Sequence, residues 1–409
     1  MRVLCTTLGS PSHGRAQLPL LRALAAAGHE VRVATNEELA PLFRHDDLHV
    51  LTCLPEFSPQ AFADSQDLAG MAAAVELGPD EQQAAMVRFM VRTLSGPMAK
   101  QLREVLRPVA QEFRPHLILR DGMDLSSCLI AEELGIPQLP TPSGASNVLD
   151  PAEVHPGLNA LRTELGLPAQ EDPLSIVRHG RVDYVPADFS FARYLPGPLA
   201  YRQTVNVDRS SVLPQWVAEL PTDRPLVWAA LGTALPMMQQ RREQGQVPEM
   251  PFELPDPAKL LQSIVEPAAV LDECTVIVAT SGAPVDTTAL PPHVHVTDRL
   301  PQPLLLECVD LFLTHGGFNS IREALRTATP LAVLPQFGDQ PANAERVEEL
   351  GLGRHITDPT PDGIAAVCRQ VLADPGAAAT ARRARLAMLA LPEIESAVAD
   401  LERLVGERA

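Results

Sequence analysis

Residues 309–346 read VDLFLTHGGFNSIREALRTATPLAVLPQFGDQPANAER. The apolar run 311–314 is too short for a helix and stops at small residues, which marks a buried strand. His315, Gly316 and Gly317 follow as a turn whose backbone can lie close to a ligand. Asn319 and Ser320 then open a helix, 331–334 is a second apolar strand, and the loop after it carries Asp339 and Gln340. Strand, turn, helix and strand in that order form the repeating unit of a parallel sheet covered on both faces.

The same rhythm extends outward. Strands are expected at 3–7, 30–35 and 116–120, with a helix at 17–27 closed by Gly28, and again at 226–231 and 275–280. Between these two sets, 206–225 carries Pro214, Pro221 and Pro225 without a regular period and reads as a linker. Residues 234–257, rich in Gln, Met, Glu and Pro, predict a long loop inside the second half. From Ala377 onward the chain is Ala-, Arg- and Glu-rich and helical, interrupted by Pro392. The predicted class is α/β with two domains, 1–205 and 226–385, and a terminal helix at 386–409 that can pack back on the first. A length of 409 residues also exceeds what one core usually organises.

Composition narrows the partners. A net charge of -18 repels phosphate backbones and anionic lipid, which argues against nucleic acid and membrane surfaces. No apolar run approaches the roughly 20 residues that span a bilayer, and the N-terminus lacks the regions of a secretory signal, so a cytoplasmic protein is expected. The cysteines, Cys5, Cys53, Cys128, Cys274, Cys308 and Cys368, are scattered without CxxC spacing and read as reduced. A small-molecule enzyme fits this balance, with room for a homodimer.

Ligand-binding chemistry is legible in both halves. In the second, exposed N–H groups at Asn319 and Ser320 suit a pyrophosphate. Glu323, on the same helical face as Ser320, can accept hydrogen bonds from ribose hydroxyls. Asp339 beside Gln340 can fork onto neighbouring sugar hydroxyls. In the first, the turn Gly9, Ser10, Pro11, Ser12, His13, Gly14 lacks a GxGxxG pattern and places His13 at the carboxyl end of a strand, where open α/β sheets bind ligands. His13 is a candidate general base. Asp121 directly follows the strand 116–120 and is the preferred orienting carboxylate, with Asp124 as competitor and helix capping as its plain alternative. Met86, Phe89 and Met90 form an adaptable apolar set for an acceptor, although ordinary helix packing explains them equally well.

The segment through Gln340 resembles the donor-binding signature of family 1 glycosyltransferases, nearest to the bacterial antibiotic enzymes. The stretch 294–302, VHVTDRLPQ, is similar to the family's nucleobase-holding segment, here with Arg299 and Leu300. Leu231, Gly232 and Thr233 resemble its small-residue loop near the diphosphate. The resemblance implies a GT-B fold, two Rossmann-like domains facing each other across a cleft, and a UDP- or dTDP-sugar as co-substrate. It implies that Gly232, Thr233, His315, Gly316, Gly317, Asn319 and Ser320 lie at the diphosphate, Glu323 at the ribose, and Asp339 and Gln340 at the transferred sugar. It also implies His13 as base with Asp121 as its partner, inversion at the anomeric carbon, and a small, polyketide-like apolar acceptor. One departure is Arg299, where many plant members carry Trp: indole stacking on the base is then not implied, guanidinium stacking stays open, and for Arg299 by itself a plain surface charge is the favoured reading. Metal ligation is not expected: no DxD pair occurs and the His and Cys spacings match no metal site. A nucleotide-sugar epimerase, or a silent binding protein that would not need His13 and Asp121, remains open at this point.

Overall fold

The computed structural model describes residues 1–44, 46–56, 65–74, 78–143, 148–202, 211–232, 235–236, 239 and 256–407. The chain divides into two compact units, one from residues 1–204 with 391–409 and one mainly from 205–249 with 253–390.

The first unit is built on five parallel strands, β1 (Arg2–Thr6), β2 (Glu30–Thr35), β3 (His49–Thr52), β4 (Leu117–Arg120) and β5 (Gln138–Pro140), in the order β3-β2-β1-β4-β5. Cys5 is level with Val33 on one side and Leu119 on the other. The chain runs outward from β1 through β2 and β3, then returns to β4 on the opposite flank. The connections leaving β1 and β4 therefore diverge and open a crevice at the strands' carboxyl ends.

Helix α1 (Pro11–Ala26) begins at Pro11 rather than at 17 as expected. Ser10 takes the extended N-cap conformation and Pro11, with its fixed φ and missing N–H, suits the first helical position. His13 consequently sits in the first helical turn and not in a loop before it. Helices α2 (Pro79–Ser95), α3 (Pro97–Phe113) and α4 (Ser126–Leu134) contribute Leu94, Leu102, Leu106 and Leu129 to the core on one face of the sheet. On the other face Leu20 and Leu24 of α1 pack with Ala397 and Leu401 of the helix Ser396–Gly406. Two hydrogen bonds fasten this returning segment: Tyr201 to Asp400 (2.8 Å) and the Arg202 amide to the Pro392 carbonyl (2.7 Å).

The second unit holds six parallel strands, β6 (Leu226–Ala230), β7 (Thr275–Ala279), β8 (Val294–Thr297), β9 (Leu311–Thr314), β10 (Leu331–Val333) and β11 (Gly353–His355), ordered β8-β7-β6-β9-β10-β11. Thr314 is level with Ala230 and with Val333, so the loops after β6, β9 and β10 emerge side by side. Here the order reverses between β6 and β9. The helix Pro375–Leu389 stays with this unit and the change of unit falls at residue 391, so a boundary at 386 would lie within a helix. Part of the expected linker is regular: Gln215–Ala218 form one helical turn, and Trp216 stacks on His295 of β8 at 5.5 Å. Thr233 and nearly all of 234–257 lie outside the described residues. Among the described residues no helix is long and apolar enough to cross a membrane.

Candidate active site

In the first unit the reversal of strand order brings His13 and Asp121 together. His13 Nδ1 lies 2.9 Å from Asp121 Oδ2. An ionised carboxylate can only accept, so Nδ1 carries the proton and the ring's lone pair resides on Nε2. Asp121 is fully buried and also accepts from the amides of Met123 (2.9 Å, on Oδ1) and Leu8 (3.3 Å, on Oδ2). Gly9, at φ 76°, lets the chain pass close by: a Cβ there would lie 2.8 Å from His13 Cε1. Asp124, the competing carboxylate, has a different job. It accepts from the amides and hydroxyls of Ser126 and Ser127 and from Thr6 Oγ1, which makes it the anchor of the start of α4. Thr6 Oγ1 in turn accepts from the Asp121 amide at 3.1 Å, so β1 and β4 are tied together directly beneath the pair.

In the second unit the loops after β6 and β9 meet at His315. A Cβ on Gly232 (φ 73°) would lie 2.7 Å from the His315 ring, and one on Gly317 would lie 2.4 Å from its Nε2, so the imidazole is held between two glycines. Burial pushes the pKa of His315 down to about 4, only partly opposed by a hydrogen bond to the Ala230 backbone. At neutral pH the ring is an uncharged hydrogen-bond donor. Gly316, at φ 85°, leaves room for Val333, which a Cβ would meet at 2.7 Å. Helix α5 (Phe318–Thr327) starts from Gly317, which has no side chain to cap it, and Asn319 and Ser320 occupy its first turn. That terminus offers amide donors together with the positive end of the helix dipole.

Gln302 links this helix to the sheet, a role that its place at the end of the stretch 294–302 does not announce. Trp228 Nε1 donates to Gln302 Oε1 (3.1 Å), while Gln302 Nε2 donates to Glu323 Oε2 (2.8 Å) and approaches Ser320 Oγ (3.4 Å). An indole can only donate, so the amide has one workable orientation and its nitrogen faces Glu323. Arg299 is 72% exposed and 3.9 Å from Asp298, and Leu300 is half-buried. Asp339 and Gln340 stand at the start of α6 (Gln340–Glu349). Asp339 accepts from Asn343 Nδ2 at 3.0 Å, and Gln340 Oε1 accepts from the amides of Gln336 and Phe337. The carbonyl end of Gln340 thus shapes its own loop. On α2, Phe89 is buried, Met90 packs against the core and Met86 is half-buried. Among the described residues no cluster of His, Cys, Asp and Glu could hold a metal ion.

Residues 22–232 match the N-terminal domain, and residues 261–404 the C-terminal domain, of the erythromycin biosynthesis protein CIII-like family. The chain belongs to this family. It is a glycosyltransferase of the antibiotic type. The L-demethylnoviosyl transferase of Streptomyces niveus is 27% identical over 405 residues, covering 94% of this chain and 93% of its own. The aclacinomycin-T 2-deoxy-L-fucose transferase of Streptomyces galilaeus is 25% identical, covering 100% and 97%. Among solved structures, spinosyn rhamnosyltransferase SpnG superposes with a TM-score of 0.73 at 23% identity, over 98% of this chain and 100% of its own. Glycosyltransferase VinC, solved in complex with dTDP, superposes with a TM-score of 0.68 at 22% identity and full coverage of both chains. The fold of this glycosyltransferase is accordingly GT-B. The epimerase and the silent binding protein give way to a sugar-transferring enzyme.

Proposed function

We propose that this glycosyltransferase moves a sugar from a dTDP-sugar to a hydroxyl of a small, largely apolar, polyketide-like acceptor, with inversion at the anomeric carbon and without a metal ion. The observation that carries the reading is the 2.9 Å contact between His13 Nδ1 and the buried Asp121 carboxylate, which leaves a basic Nε2. His13 takes the acceptor's hydroxyl proton as the new carbon–oxygen bond forms. The bond from the anomeric carbon to the diphosphate oxygen breaks in the same step, and the nucleoside diphosphate departs with the electron pair. Asp121 holds the imidazole in the required tautomer and stabilises the imidazolium. Support for thymidine over uridine comes from the dTDP bound by VinC and the thymidine diphosphate bound by SpnG.

Each donor residue has a chemical role in this reading. His315 and the amides at Asn319 and Ser320 hold the diphosphate, Glu323 the ribose, and Asp339 with Gln340 the sugar. Because His315 is uncharged, the helix terminus and amide donors carry the task of meeting the anion. A thermal-shift panel with dTDP, UDP, ADP and NAD tests the donor half. A nucleotide at about 100 times its Kd adds roughly 2.7 kcal/mol of stability. The largest shift is expected with dTDP, and a shift with NAD alone would end the reading. For the acceptor half, His13→Ala is expected to lose about 10²–10⁴ in kcat with dTDP affinity retained; full activity in that variant removes His13 as base.

A further inference from the structure

Arg120, the last residue of β4, is 2% exposed and follows Leu117, Ile118 and Leu119, all fully buried. A guanidinium stays charged in a protein, and a buried charge is normally met by a carboxylate. Among the described residues Arg120 makes no ion pair. Its Nε donates to Gln138 Oε1 (2.8 Å), Nη2 to the Ile176 carbonyl (2.9 Å), and Nη1 to the carbonyls of Asp121 (3.3 Å) and Gly122 (3.4 Å). All four acceptors are neutral oxygens, and two belong to the turn that carries the Asp121 side chain. Thr141 adds to the hold, donating both its amide and its hydroxyl to the Arg120 carbonyl at 2.9 Å. Meanwhile the Asp121 carboxylate is taken up by His13, Leu8 and Met123 rather than by the adjacent guanidinium.

We propose that Arg120 is a positioning residue for the general base, acting entirely through Asp121. Its rigid fork clamps the backbone of the Asp121–Gly122 turn and aims the carboxylate at His13 Nδ1. It does not neutralise that carboxylate directly. The inference rests on the His13–Asp121 reading of the preceding section. A lysine supplies charge but no fork, so it cannot hold two consecutive carbonyls while also reaching Gln138 and Ile176.

A double-mutant cycle with Asp121→Asn separates the possibilities. Arg120→Lys is expected to lower kcat at least about tenfold with the donor KM within about twofold, and to change kcat less than about twofold when Asp121→Asn is already present. A low-field proton resonance of His13 Nδ1–H is expected in the wild type, and it is expected to shift or vanish in Arg120→Lys. Should that variant fail to fold, Gln138→Met removes one anchor of the guanidinium while keeping the cation, and a smaller effect of the same pattern is expected. Equal losses with and without Asp121→Asn, or an unmoved Nδ1 proton, overturn the role of Arg120. An Asp121→Asn enzyme with full kcat instead overturns the His13–Asp121 reading itself.

Discussion

Acidification offers a direct test of His315. Its imidazole is held between Gly232 and Gly317 and its pKa is pushed from 6.5 down to about 4 by burial. Above about pH 7.5 the ring is almost wholly neutral in both folded and unfolded chains, so it makes almost no pH-dependent contribution. As the pH falls, the unfolded ring takes up a proton that the folded ring refuses until about pH 4, and stability is lost across that window. With those two values the loss is about 2 kcal/mol between pH 7.5 and 5, growing to roughly 3 kcal/mol below pH 4. Urea unfolding can be followed through tryptophan fluorescence, because the two tryptophans, Trp216 and Trp228, both lie in the second unit. Other groups titrate over the same range, so the informative quantity is the difference between wild type and His315→Asn. The wild type is expected to lose about 2 kcal/mol more than the variant between pH 7.5 and 5. Parallel pH dependences would show that His315 is as basic folded as unfolded and would refute its neutral, enclosed state.

Three further outcomes are expected. Gly9→Ala places a Cβ 2.8 Å from His13 Cε1 at a φ of 76°, so kcat should fall with dTDP affinity intact, and a fully active Gly9→Ala enzyme would show that the ring tolerates displacement. Glu323→Gln removes a charged acceptor whose loss costs about 1.5–3 kcal/mol, so titration calorimetry should show dTDP binding weakened roughly ten- to hundredfold, whereas an unchanged Kd would take Glu323 out of the donor site. Turnover should survive EDTA, and its abolition, restored by added metal, would contradict helix-terminal stabilisation of the leaving diphosphate.

The second unit is the more legible in sequence because its candidate residues are concentrated in one strand–turn–helix, where two consecutive glycines and the apolar period leave little freedom. The first unit is harder. Ser10–Pro11 is itself a helix-start signal, yet the small residues around it read as a loop, and a reading by apolar period starts the helix too late. Asp121 and Asp124 are one turn apart with similar neighbours, and their separate tasks depend on Thr6 and His13, which lie over a hundred residues away in sequence (|i−j| 118 and 108). Arg120 is visible as a cation ending an apolar strand, but its four acceptors come from β5, from the turn after β4 and from the segment at Ile176, none of which a local period can reveal. Gln302 is the last residue of the stretch that resembles a nucleobase holder; its link to Glu323 depends on the indole of Trp228, 74 positions earlier.

The return of residues 391–409 to the first unit has a consequence for how the protein is made. On a ribosome, the second unit can close on contiguous chain once the helix Pro375–Leu389 has emerged. The first unit, although synthesised earlier, waits with the apolar faces of Leu20 and Leu24 uncovered until Ala397 and Leu401 arrive to seal them. The half that carries His13 is therefore the last to mature. A nascent chain stalled before that point would present the uncovered face of α1 to chaperones, while the sequence of its second unit was already complete.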